Sequence, residues 1–293
     1  MKKTFAKSLF AAAAISASVI SCTQERDSVN ADEVTANAGL EKPGELEAGC
    51  SYVDGNWSSS AVLTTSLRTS GDTNFMNSQM SKISSLFGRT SPLLRFVNDA
   101  SSPNSTYNAI SYSTGKIYYG YAIYYDAKAK GGDIVNAMIL AHEYGHQLQY
   151  IFGLPSVREF TARPNELEAD GFAGYYLRRP TGYNQPSFSA IASAYTFAAN
   201  IGDYNTSSQN HHGTPSQRRS AVRLGFLLGD YSLSAKDFDY NFFYYYNGVL
   251  NGTYRNAKNT QFPEIDAMMQ NHLDELKAIQ TGEISEAEFL KLK

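Results

Sequence analysis

The sequence predicts an α+β domain in which a small twisted sheet packs on one central helix and further helices complete a cleft. Three stretches carry this. Residues 108–126, NAISYSTGKIYYGYAIYYD, are tyrosine-rich, alternate in places and turn at Ser113-Thr114-Gly115, the pattern of a β-hairpin or meander. From Asp133, a plausible N-cap, apolar residues stand at 134, 138, 141, 148 and 152 until Gly153 and Pro155 stop the run, which predicts a helix with one buried stripe. Residues 163–180 begin with Pro164 and end at Pro180, with Leu167, Ala169, Phe172, Ala173, Tyr176 and Leu177 on an apolar face, a second helix.

Taken in order, the chain opens with Lys2, Lys3 and Lys7 and an apolar run from Leu9 to Ile20. A bilayer span needs about 20 apolar residues, so residues 1–21 are expected to be a secretory signal peptide. The run closes on Val19-Ile20-Ser21-Cys22, which resembles a bacterial lipobox. In that reading Cys22 is lipidated, becomes the new N-terminus and ties the exported protein to the cell envelope by more than one acyl chain. Residues 22–50 hold seven acids against two bases with only scattered aliphatics; such a segment cannot bury a core and is expected to be a disordered tether. It carries most of the chain's negative charge, so the remainder is nearly neutral and has no electrostatic footprint for nucleic acid. With Cys22 assigned to lipid, Cys50 stands alone, which excludes a disulfide framework and makes an inert thiol the expectation.

Residues 51–262 are expected to form one domain. Within it Phe75, Met76, Met80, Ile83, Leu86 and Phe87 recur at helical spacing before Gly88, and LLRFV at 93–97 predicts a short strand. Thr214-Pro215-Ser216-Gln217 has the form of a capping box opening another helix. Residues 263–293 predict one or two amphipathic helices.

The chemistry lies in the helix after Asp133. His142-Glu143-Tyr144-Gly145-His146 is an HExxH sequence. Its two histidines, one turn apart, project from one side and can reach a single ion, while Glu143 points roughly 100° around the axis, beside a bound water. A helix whose histidines meet solvent or core hydrogen bonds is the plainer alternative. A catalytic zinc needs a third protein ligand and an open fourth position. On the next predicted helix Glu166 and Asp170 share a face, so Glu166 can complete the site while Asp170 accepts the outer N–H of a ligand histidine. Glu168 is expected at the surface. A metzincin arrangement fails, because its third histidine would fall at Phe152 and its glycine at Gln149.

The chain resembles the bacterial neutral zinc metallopeptidases. LAHEYGHQLQ at 140–149, ELEADGFAG at 166–174, IGD at 201–203 and HGTPSQR at 212–218 occur in that family's order, and Asn165-Glu166-x-x-x-Asp170 follows the gluzincin pattern of thermolysin-like peptidases. The resemblance implies a zincin-like fold, one catalytic Zn2+ held by His142, His146 and Glu166, Glu143 as general base and a protein or peptide substrate. It departs at Tyr112-Ser113-Thr114, where members often have a Tyr-Cys-Pro-like segment, and at Asp203-Tyr204, where they have paired aspartates; a lipobox replaces the membrane-spanning anchor of many members. His212, just before a helix N-terminus, is either an oxyanion donor or a residue that caps the loop. Asn108–Tyr112 resembles the strand that pairs with substrate in thermolysin-like folds, with ordinary sheet packing as the alternative for the tyrosines after it. Two other functions stay open at this level: a surface lipoprotein that keeps the scaffold for binding, and a hydrolase of cell-wall peptide.

Overall fold

The computed structural model describes residues 57–253, 258–284, 286–289 and 291–292. The signal peptide, Cys22, the 22–50 tether and Cys50 lie outside the described residues. Four strands, β1 (Val62–Thr64), β2 (Leu93–Asn98), β3 (Ala109–Tyr112) and β4 (Lys116–Gly120), form one mixed sheet in the order β1-β2-β4-β3. β2 and β4 are parallel and the outer pairs antiparallel. The described helices are α1 (Ser70–Leu86), α2 (Tyr121–Gly131), α3 (Asp133–Phe152), α4 (Arg163–Arg178), α5 (Ala192–Asn200), α6 (Pro215–Leu228), α7 (Ala235–Tyr244), α8 (Tyr246–Asn251), α9 (Pro263–Gln270), α10 (Leu273–Thr281) and α11 (Glu286–Phe289). This is the predicted α+β class. Among the described residues no helix is long and apolar enough to cross a membrane.

The hairpin is present, with the turn at Gly115 (φ 79°), but the tyrosine-rich run does not continue as a meander. It becomes α2 at Tyr121. Gly120 ends the strand where a Cβ would stand 1.8 Å from the Thr106 carbonyl oxygen, and beyond it Ile123, Tyr124 and Ala127 form a buried i, i+1, i+4 stripe. Strand propensities span only about 1 kcal/mol, whereas burying one large apolar side chain contributes about 1.5–3 kcal/mol, so packing decides.

α3 also differs from its expectation in two ways. Gly132, with φ 78°, is at once the end of α2 and the cap of α3, so Asp133 is the first helical residue and not the cap. Every residue from Val135 to Gln149 is buried, not one stripe alone, because the sheet, α1, α2, α4 and α5 surround the helix. Gly153 (φ 68°) ends it as predicted.

Small residues set the helix spacing around the centre. A Cβ on Gly145 would stand 3.0 Å from the Ala169 Cα on α4, and one on Gly225 of α6 would stand 1.9 Å from the Gly171 carbonyl oxygen. α3, α4 and α6 therefore approach backbone to backbone. The predicted capping box opens α6: Thr214 Oγ1 accepts from the Gln217 N–H at 3.3 Å and Gln217 Oε1 from the Thr214 N–H at 3.0 Å. The C-terminal segment forms three helices where one or two were expected. Ile265, Met269, Leu276 and Ile279 belong to the same core as α6, and Arg223, buried on α6, is paired with Glu275 of α10.

Candidate metal centre

α3 and α4 cross with their polar faces opposed, and that places His142, His146 and Glu166 together, all three buried. The two Nε2 atoms are 3.2 Å apart. Glu166 Oε2 is 3.5 Å from His142 Nε2, and its Oε1 is 3.4 Å from His146 Nε2. A tetrahedral ion with bonds of about 2.0–2.1 Å separates its ligand atoms by about 3.3 Å, so the three donors already stand at the edges of such a polyhedron. The outer nitrogens are engaged elsewhere: His142 Nδ1–H donates to the Asp170 carboxylate at 2.9 Å, and His146 Nδ1 lies 2.8 Å from Gln149 Oε1, to which it donates in its Nδ1–H tautomer. Two imidazole lone pairs then face each other across 3.2 Å, an arrangement that a cation or a shared proton relieves. The group could hold a metal ion. Two imidazoles and a carboxylate suit zinc, and equally other late first-row divalent ions.

The electrostatics agree with one cation's worth of positive charge between these groups. Burial alone would lower the affinity of His142 for a proton, but Asp170 and Glu166 beside it raise its pKa to about 9. His146 goes the other way, to about 4, through burial and the charge on His142 outweighing the pull of Glu166. Burial would raise Glu166; instead His146 and His142, with a further contribution from His212, hold it well below the usual carboxylate range.

Glu143 is fully buried, and neither of its oxygens has a side-chain hydrogen-bond partner among the described residues; the backbone of Ser111 on β3 is the one hydrogen-bonding group beside it. Burial pushes its carboxyl well above the ordinary range, with the charge of His142 opposing. The charges of Glu166 and Arg218 act on it as well. A buried carboxyl with no side-chain partner costs stability.

Asp170 does more than the sequence suggested. Its two oxygens also accept a bidentate pair from Arg218, Nε to Oδ2 at 2.7 Å and Nη2 to Oδ1 at 2.8 Å, and Arg218 Nη1 reaches Glu166 Oε2 at 3.5 Å. Arg218 was missed, although it closes the HGTPSQR segment. The available signal was a deficit of charge: two buried carboxylates on one face of α4 demand a cation besides the metal. Asp203 was also missed as an organiser. It accepts from the His212 backbone N–H at 2.8 Å and faces His211 Nδ1 at 2.7 Å and His212 Nδ1 at 3.2 Å. Those contacts hold its carboxyl far below the usual range even though burial would raise it. Both histidines are buried, and neither Nε2 has a partner among the described residues.

Glu168 is a correction. Expected at the surface, it is fully buried, because α4 is enclosed on that side by α7 as well as by α3. Burial and the neighbouring Asp239 push its carboxyl well up, and it accepts from Gln149 Nε2 at 2.9 Å.

No protein-family model matches the chain, and no solved structure matches it at a significant level. Two curated proteins are similar to it over 140 residues, each 29% identical over 40% of this chain and 49% of the relative: the "Uncharacterized protein YpfJ" of Escherichia coli strain K12 and that of E. coli O6:H1 strain CFT073. The chain thus spans about half the length of the curated relatives it matches.

Proposed function

We propose that this protein is a zinc-dependent peptidase of the neutral zinc metallopeptidase type, with a zincin-like arrangement of sheet and helices, exported and lipid-anchored through Cys22. One observation carries the reading: His142, His146 and Glu166 converge at tetrahedral spacing while Glu143, on the helix that bears both histidines, is buried with no side-chain partner among the described residues. A structural metal site has no use for an uncommitted carboxyl; a hydrolytic one does.

A zinc ion held there supplies Lewis acidity, polarising a carbonyl and making water easier to deprotonate. Glu143 takes the proton from the attacking water and passes it to the leaving amine nitrogen; its raised pKa suits it to hold that proton between the two steps. Asp170 and Gln149 fix the ring orientations of His142 and His146. His212, buried and oriented by Asp203 at Nδ1, is the candidate donor to charge developing on the carbonyl oxygen, a role that requires its ring to carry a proton on Nε2 as well as on Nδ1. β3 lies at the edge of the sheet beside α3 with no strand partner on its outer side among the described residues, but Ala109–Tyr112 are all buried, so an extended peptide would pair there only once that edge is uncovered.

The test is cleavage of a mixed-sequence peptide library by the zinc-loaded protein and by Glu143→Gln at equal zinc occupancy, read by mass spectrometry. The expected result is cutting by the parent that falls by about 10²-fold or more in the variant. Zinc bound by both with no cutting by either would overturn the peptidase reading in favour of a binding lipoprotein, or of a hydrolase that accepts only cell-wall peptide.

A further inference from the structure

The two metal-facing histidines are supported differently, and the support of His146 is the less obvious one. His142 donates to a carboxylate, which fixes its tautomer by charge. His146 meets a side-chain amide, and an amide can present either end: its oxygen would accept from Nδ1–H, its nitrogen would donate to a bare Nδ1. The second orientation would leave the proton on Nε2 and remove that nitrogen as a ligand. The end that faces His146 is settled by the other contacts of Gln149. Its Nε2 lies 2.8 Å from the Asn165 backbone carbonyl, which can only accept, and 2.9 Å from Glu168 Oε2. Its Oε1 lies 2.8 Å from His146 Nδ1 and accepts a further, longer contact from Asn165 Nδ2 at 3.4 Å. A flipped amide would set its oxygen against the Asn165 carbonyl and Glu168. Gln149 and Glu168 are themselves buried, so water does not compensate a wrong choice.

We propose that Gln149, clamped by Glu168 and the Asn165 carbonyl, is the positioning residue that holds His146 as its Nδ1–H tautomer and so turns the Nε2 lone pair towards Glu166 and His142. The consequence for metal binding rests on the metal-centre reading above; the tautomer assignment does not. Glu168, which would otherwise be an unexplained buried acid one turn from the wrong side of the site, acquires a role as the lock on that amide.

The experiment records two-bond ¹H–¹⁵N correlations of histidine-labelled, metal-free protein at neutral pH, together with zinc affinity by chelator competition, for the parent, Gln149→Leu, and the double variant Gln149→Glu/Glu168→Gln. In the double variant residue 149 still accepts from Nδ1 and the new amide at 168 donates to it, while the Asn165 carbonyl loses the donor that Gln149 Nε2 gives it. The parent is expected to show His146 with a protonated Nδ1 and a bare Nε2. Gln149→Leu should move His146 towards the Nε2–H form and weaken zinc binding about 10- to 100-fold, while His142 keeps its Nδ1 proton on Asp170. The double variant should restore both. An unchanged His146 tautomer in Gln149→Leu would overturn the proposal, as would a double variant that folds yet stays in the Nε2–H form. If the parent shows the expected tautomer and Gln149→Leu shifts it, but no variant binds zinc, the tautomer assignment stands and the metal-centre reading fails.

Discussion

The two sides of α3 are built on opposite principles. Towards the sheet its contacts are neutral: Gln147 Nε2 donates to Ser111 Oγ at 2.6 Å and to the Tyr112 carbonyl at 2.8 Å, and Glu143 has no side-chain partner among the described residues, only the backbone of Ser111 beside it. Towards α4 and α6 the polar atoms join one charged network, in which Arg218 spans Asp170 and Glu166 while Asp170 also holds His142. The groups that would hold an ion are over-determined. The group that would move a proton is left uncommitted. A fold that left any ligand as loose as Glu143, or tied Glu143 as firmly as Asp170, would lose one half of a hydrolytic site.

The charged side should be the more fragile when broken. Arg218→Met leaves Asp170 and Glu166 buried without their shared cation, and removing one partner of a buried pair costs about 3–5 kcal/mol. Urea unfolding of the metal-free protein would measure it. A loss below about 1 kcal/mol would mean that the network is not what holds the two helices in register. A smaller loss is expected where the same side relies on close approach in place of charge. Gly225→Ala places a methyl group 1.9 Å from the Gly171 carbonyl oxygen, and because that neighbour is backbone, α4 and α6 must separate. Overpacking of this kind costs about 1–3 kcal/mol, or a melting temperature lower by about 2–12 °C for a domain of this size. Zinc affinity should fall with it, since the shift draws Arg218 away from Glu166; a stable variant with parental affinity would uncouple the two.

Proton and metal should compete on the charged side. His142 is held at about 9, above its ordinary 6.5, by Asp170 and Glu166 acting against burial. In the metal-free protein the stability this contributes is complete below pH 6.5 and is lost as the pH rises through 9. Metal binding runs the other way, because it must expel the same proton. Zinc affinity measured against a chelator should therefore tighten by up to about tenfold per pH unit between 6.5 and 9. A flat profile across that window would place the proton elsewhere.

The difference between the sides also explains what could be read from the sequence. The hairpin, α3, α4 and the capping box of α6 follow from local pattern, and so do the spacing of His142 and His146 and the shared face of Glu166 and Asp170. These are contacts within one helix, or within a short turn, where periodicity fixes geometry. Arg218, Asp203 and Gln149 were not identified, and Glu168 was assigned to solvent, because their roles depend on which helix lies opposite. Arg218 reaches Asp170 across 48 positions of sequence, and Glu168 meets Asp239 from α7. The tyrosines of 121–125 failed for the same reason: their strand propensity is local, and the core that overrules it is not.

The smallest predicted effect has the opposite sign and lies on the sheet side. Burial pushes Glu143 well above its ordinary 4.5, so the folded state disfavours the ionised form. In the metal-free protein the carboxyl then costs stability once the pH exceeds 4.5, and the cost grows as the pH rises. Glu143→Gln removes the charge while keeping the shape. It should stabilise the metal-free fold by about 1 kcal/mol at neutral pH, with the gain shrinking as the carboxyl of the parent is protonated in acid. Paired urea titrations of parent and variant on either side of pH 4.5 would test it. A variant that is less stable than the parent at neutral pH would mean that Glu143 holds the fold together, and would remove the strongest physical reason for treating it as a group kept free for chemistry.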